Sequence, residues 1–221
     1  MKILVWGQKL RMEQQNETDR ATNTAYVFRG GALALDLVNT EVVIRGKRQD
    51  LLKEPENLKE WKLVAESYYP ELETITINPD QEFLEKVKTF RKSLRSVFSK
   101  LVEEQSPDRK ELDPLNAILK KGHYALGLGN NGELSADYRA ENKQDELLVT
   151  LALSVFRLLT ETDPKRLHKC KNDRCILFFY DNTKSATRHW CSLGCMNRAR
   201  SIQHYREQKA ALSEKSMKDE G

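Results

Sequence analysis

Cys170-Lys-Asn-Asp-Arg-Cys175 and Cys191-Ser-Leu-Gly-Cys195 hold every cysteine of the chain, and no cysteine precedes them. Two thiol pairs, each spaced by a few residues and separated by a longer loop, are the pattern in which tight turns bring four sulfurs to about 2.3 Å from one metal ion. Four thiolates select zinc over hard cations and close the coordination sphere, so the expected cofactor is one structural Zn2+ on Cys170, Cys175, Cys191 and Cys195. A disulfide or redox use is the second reading, but nothing in the chain indicates secretion. An iron–sulfur cluster is the third, and the spacing departs from the ferredoxin patterns. His189 and His204 flank the second pair and read as surface or packing histidines.

Between the pairs, Ile176-Leu-Phe-Phe-Tyr180 and Thr187-Arg-His-Trp190 read as two strands around the turn Asp181 to Ser185. Ser192 to about Lys209 reads as a helix, so Cys191 and Cys195 sit at a helix start, where free amides and the dipole favour thiolates. Knuckle, hairpin and helix start form a treble-clef-like module by analogy. So small a module has too little core to fold unaided, and its metal supplies much of its folding free energy, on the order of 10 kcal/mol.

Charge separates this module from the rest. From Asp163 onward there are thirteen Lys/Arg against seven Asp/Glu, while the remainder carries 24 against 26. A basic module on a neutral-to-acidic body is a layout suited to phosphate-rich partners. Candidate nucleic-acid contacts are Lys184 and Arg188 on the loop and Asn197, Arg198, Arg200, Gln203 and Arg206 on the helix. Arg, Asn and Gln make bidentate contacts to base edges. Helical spacing groups Asn197, Arg200 and Gln203 and points Arg198 and Arg206 elsewhere.

Outward from the module, the chain of 221 residues is 39% hydrophobic and 32% charged, enough apolar material for a core beneath a charged surface. Phe83, Leu84, Val87, Phe90, Leu94, Val97, Phe98 and Leu101 trace one face of a helix from Pro79 to about Glu104, with Asn78 as its cap. A shorter helix carries Leu58, Trp61, Leu63 and Val64, with Asn57 as cap. Others carry Leu33 to Val38, Leu112 to Leu119, and Leu147 to Leu159 up to Thr160. Tyr124, Leu126 and Leu128 alternate toward the turn Gly129 to Gly132 and pair with Leu134 to Tyr138 as a hairpin. Tyr26 to Phe28 reads as a short strand, and Arg45, Lys47 and Arg48 as a basic loop.

The expected fold is therefore mainly α with a small β-hairpin component, of the α+β class. Residues 1–24 form a flexible arm, 25–162 a mostly helical domain, 163–210 the zinc finger and 211–221 a disordered tail. The body is expected to fold on its own apolar periodicity. No stretch approaches the roughly 18 apolar residues of a membrane helix, and no signal-peptide core is present, so a cytoplasmic address without membrane contact is expected.

Arg166-Leu-His-Lys-Cys170, Phe178 to Asp181, and Thr187-Arg-His-Trp-Cys-Ser-Leu-Gly-Cys-Met-Asn-Arg198 resemble the CGNR zinc-finger family, named for a Cys-Gly-Asn-Arg motif. Gly30-Gly-Ala-Leu-Ala-Leu-Asp-Leu-Val-Asn-Thr40, with Trp61 downstream, resembles its companion N-terminal domain, ABATE. The resemblance implies a bacterial stress-linked transcription regulator whose finger binds DNA, with the same four cysteines as ligands and Asn197 and Arg198 as signature residues. Two positions depart from the family pattern, Met196 and Ile176, where glycine is usual.

The leading expectation is thus a DNA-binding regulator whose body senses a small molecule or a protein. An RNA-binding protein and a protein-docking zinc module are the alternatives. No enzyme is expected: there is no nucleophile–base pair, phosphate loop or catalytic metal motif. Asp36, Asn39 and Arg45 are the polar cluster that a catalytic reading would invoke, and oligomeric state is not legible.

Overall fold

The computed structural model describes residues 26–128 and 132–219, apart from the side chains of 135, 137 and 210–219. The expected arm, 1–24, lies outside the described residues. Among the described residues, six α-helices and three separate antiparallel strand pairs follow one another, the α+β architecture that the sequence implies. The helices are α1 (Leu33–Val38), α2 (Pro55–Glu66), α3 (Gln81–Val102), α4 (Arg109–Leu119), α5 (Glu146–Thr160) and α6 (Leu193–Asp219). The strands are β1 (Glu41–Ile44) with β2 (Lys47–Asp50), β3 (Gly122–Leu128) with β4 (Leu134–Ala140), and β5 (Leu167–Lys169) with β6 (Phe178–Tyr180).

Helix α3 is the body's spine, with Leu84, Val87, Phe90, Leu94, Val97 and Phe98 buried along its apolar face. Its cap is Asp80, which accepts from the Phe83 amide at 2.8 Å, not the expected Asn78; the carboxylate two residues further on reaches the orphan amide directly. At α2 the first helical residue is Pro55, and Asn57 caps from inside the first turn by accepting from Glu54 N at 3.1 Å. All six residues of α1 are buried between α3 and α5. The expected basic loop is instead the β1–β2 hairpin: Arg45 and Gly46 both take positive φ, the two-residue turn whose twist suits the flanking strands.

Tyr26 to Phe28, expected as a short strand, joins no sheet. Buried Asp36 accepts from Arg29 N at 3.0 Å, Gly30 N at 2.6 Å and the Tyr69 hydroxyl at 2.5 Å. Only glycine fits at Gly30, since a Cβ there would meet Leu35 Cβ at 2.5 Å and Asp36 Oδ1 at 2.8 Å.

The body and the C-terminal module do not pack as separate units. Strand β6 pairs with β5, not with Thr187 to Trp190 as expected, and the latter stretch is not a strand. Side chains on a strand alternate faces, and here the two faces enter two cores. Phe178, fully buried, packs in the body core with Phe98 and α1, while Phe179, also fully buried, packs with the cysteines. The backbone of Phe178 is held by a side chain of the body: Asn39 Nδ2 donates to its carbonyl and its amide donates to Asn39 Oδ1, both at 2.9 Å. Tyr180 N donates to Gly30 O at 2.8 Å. From α3, Arg95 donates to Ile176 O at 3.0 Å, Val38 O at 2.5 Å and Glu41 at 2.7 Å, with its guanidinium over the Phe178 ring. Thus Leu167 and Phe178, beyond the expected boundary at 162, complete the body core. Residues 25–160, expected to fold on their own apolar periodicity, share this core with Leu167 and Phe178.

Two outcomes follow from this packing. Phe178→Ala should destabilise the full chain by about 3–5 kcal/mol, lowering the midpoint of the body's helical circular dichroism as well as that of the finger. A body midpoint that does not move would contradict the shared core. Burial pushes the Asp36 carboxyl up to about 7 from its ordinary 3.8, despite its three donors. The unfolded chain then releases this proton first, so the group's contribution to stability declines as pH rises through that window, by on the order of 4 kcal/mol. Denaturant titrations from pH 4 to 7 should show a flatter decline for Asp36→Asn than for the wild type; parallel curves would rule the assignment out.

Candidate metal centre and basic helix

The first knuckle starts where β5 ends. Cys170 N donates to Leu177 O at 2.9 Å, and Cys175 N donates to Asn172 O at 2.9 Å, folding the intervening turn back on itself. The second knuckle is fastened to the first: Lys171 N donates to His189 O at 2.9 Å, and Cys191 N donates to Cys170 Sγ at 3.5 Å. Cys195 lies in the first turn of α6, with its amide donating to Ser192 Oγ at 3.2 Å, so the serine caps the helix. Asn172, 2% exposed, ties the two knuckles by donating to Cys195 O at 2.8 Å while accepting from Arg174 N.

The four sulfurs lie within 4.8 Å of one another, and none is in a disulfide. Cys175 and Cys191 are 3.8 Å apart, and Cys191 and Cys195 3.6 Å. A tetrahedron with metal–sulfur bonds of about 2.3 Å has edges of about 3.8 Å, so the donor set and its spacing fit zinc. Four thiols this close set one another's ionisation. Hydrogen bonds from Cys170, Cys175 and Cys191 pull the ionisation of Cys195 down, while the Cys170, Cys175 and Cys195 sulfurs push that of Cys191 up. A divalent ion removes that conflict by letting all four ionise together. With three of the four residues buried, the site has a structural character. His189 and His204 are exposed, the first edge-on to Trp190 and the second beside Gln208, and neither joins the cluster.

The loop from 181 to 188 is locked by buried Asp181, whose Oδ1 accepts from Thr183 N and Oγ1 and whose Oδ2 accepts from Arg188 N. Lys184 is exposed on it. Arg188 is not: its guanidinium donates to the carbonyls of Trp190 and Cys191 and lies over the Phe179 ring at 4.7 Å. These contacts brace the second knuckle beneath the cysteines.

Helix α6 continues to Asp219, into the stretch 211–221 that was expected as a disordered tail. Asn197 and Arg200 are exposed, as is Gln203, which donates to Glu207 at 2.9 Å. Arg198 and Arg206, expected to point apart from the readout group, lie together on one face. With Arg174 of the first knuckle and Lys209 they line an open groove together with Ser201, Ile202 and Tyr205. Arg174 and Lys209 were absent from the expected set; their positive charge was visible, but which turn faces which helix side was not. Arg206 also approaches Asp173 at 3.5 Å, an exposed pair. Of the polar trio that a catalytic reading would invoke, Asp36 and Asn39 are fully buried in structural bonds, and Arg45 is exposed on the β1–β2 turn.

Cys191→Ser should drop bound zinc from about one per chain to near none, because a serine hydroxyl stays protonated at neutral pH and cannot replace the thiolate. Stoichiometric zinc in that variant, by elemental analysis, would exclude Cys191 as a ligand.

Comparison with known families bears directly on both halves. Residues 31–162 match the model of ABATE, described as "Putative stress-induced transcription regulator", and residues 166–208 match that of the CGNR zinc finger. No curated protein matches the chain. No helix among the described residues is long and apolar enough to cross a membrane. Glycine is replaced at two family positions, yet Met196 N keeps its helical bond to Ser192 O and the Ile176 carbonyl is used by Arg95. With its ABATE region, its four clustered thiols and its finger motif, the chain belongs to the ABATE family of CGNR zinc-finger proteins, in which Cys170, Cys175, Cys191 and Cys195 hold one structural zinc ion.

Proposed function

We propose that the protein is a DNA-binding transcription regulator, acting in the cytoplasm by binding and not by catalysis, with α6 and the first knuckle as its nucleic-acid surface. The observation that carries this reading is the groove in which Arg174, Arg198, Arg206 and Lys209 surround Ile202 and Tyr205. Cations from two elements, rigidly spaced by the zinc site, are what a phosphate backbone requires. Arg200, Asn197 and Gln203 occupy other sides of the same helix, so several of its sides carry polar groups. A helix that enters the major groove meets DNA on several sides at once, which suits this distribution. The stress connection rests on the description of the family.

The body's part in this proposal is regulatory. It grips the finger at Ile176, Phe178 and Tyr180, so a small molecule or protein that shifts α1 or α3 acts on the strand leading to the second knuckle. Tyr205, 67% exposed within the basic groove, favours a second reading, because an accessible ring among cations stacks on unpaired bases of RNA or single-stranded DNA.

Fluorescence anisotropy with duplex DNA, single-stranded DNA and RNA, across a salt series, separates the readings. Duplex binding should weaken steeply with salt, with a log–log slope near −0.9 per phosphate neutralised. Arg174→Ala and Arg198→Ala should each retain zinc and flatten the slope by about 1. Asn197→Ala or Arg200→Ala should relax sequence preference by roughly 1–3 kcal/mol where the residue meets a base edge. Tighter RNA binding that depends on Tyr205 would favour the second reading, and salt-insensitive or absent binding by zinc-replete protein would overturn both.

A further inference from the structure

We infer that the β3–β4 hairpin is a homodimerisation arm, which packs face to face on the same hairpin of a second copy. In the antiparallel register Tyr124 pairs with Tyr138, Leu126 with Ala136 and Leu128 with Leu134, so all six point to one face. At the base that face is covered: Tyr138 donates to the Leu119 carbonyl, and a Cβ on Gly122 would lie within 2.9 Å of Val149 on α5. Beyond the base the cover ends. Tyr124, Leu126, Leu128 and Leu134 are 66%, 82%, 73% and 72% exposed. Strands β3 and β4 form a sheet of their own, and two strands alone are marginal in water without something packed on their apolar face.

Size and shape favour a second copy as the occupant. The open face is on the order of 500 Å², as large as a monomer normally leaves exposed, and two such faces together bury about 1,000 Å², the threshold of a specific interface. The face carries no ionisable group other than the tyrosine hydroxyls, so it offers nothing by which a charged partner would be selected. It is also self-complementary. A two-fold axis across the strands near the tip lays the two exposed ends over one another in opposite directions and leaves each α5-covered base clear of the partner, as an isologous interface requires. His123 and Arg139, in register, lie on the opposite face and add no repulsion to the contact.

Sedimentation equilibrium of the zinc-replete full chain tests this. The wild type should approach twice its 25.6 kDa as concentration rises, and Leu126→Glu should remain at the monomer mass with its zinc content and helical circular dichroism unchanged. A photo-crosslinking residue in place of Leu126 should join two chains, with the captured peptide falling within residues 122–140. A wild type that stays monomeric into the high-micromolar range would overturn the inference. So would a Leu126→Glu dimer, or a crosslink to any region other than that hairpin.

Discussion

The contact on which the structure turns is the pair of hydrogen bonds between the Asn39 side chain and the backbone of Phe178. A side-chain amide stands in for a neighbouring strand and fixes the height and direction of β6. Once β6 is fixed, its alternation sends Phe178 into the body and Phe179 toward the sulfurs. Arg95 adds the second restraint, reaching from the middle of α3 to Ile176 just past Cys175. A buried amide that lost its partner would cost about 1–3 kcal/mol, so neither half tolerates the other's absence well. Zinc, which closes the knuckles, therefore reaches the body core through one short strand.

This coupling explains why the two halves differ so much in how far they can be read from sequence. The thiol pairs declare a metal site by spacing alone, because four sulfurs have few other ways to meet. Helices α3 and α5 declare themselves through long apolar faces. The β6 pairing does not, since Phe178 and Phe179 look alike until a partner strand and two separate cores are known. The same holds for caps: Asn78 and Asp80 are both good candidates, and only the local path selects Asp80. Asn39, Asn172 and Arg188 show the limit most plainly. Each is a polar residue whose role is set by a backbone group far along the chain or by the turn geometry of a knuckle. Of the expected contact residues, Arg198 and Arg206 meet in a groove, but Arg174 joins them only because the knuckle folds toward α6.

The electrostatics of the molecule follow the same division. The body uses its charges inwardly, as in the two-pronged Arg91–Asp50 pair and the Arg95–Glu41 pair. The basic residues of α6 face outward. On the proposed reading rigid placement matters more than net charge, because a phosphate backbone rewards cations held at fixed spacing, and the zinc site and Asn172 hold Arg174 and the start of α6 in one frame. On this view the ABATE region positions the finger and the finger supplies the surface.

Hydrogen exchange on the full chain, compared with and without a zinc chelator under reducing conditions, tests that coupling most directly. Loss of zinc should raise exchange not only in the finger but also at amides of α1 and of the central part of α3 around Phe98, which packs against Phe178. Protection of α1 and α3 that is unchanged while the finger exchanges freely would show that the body core closes without β6, and would contradict the account.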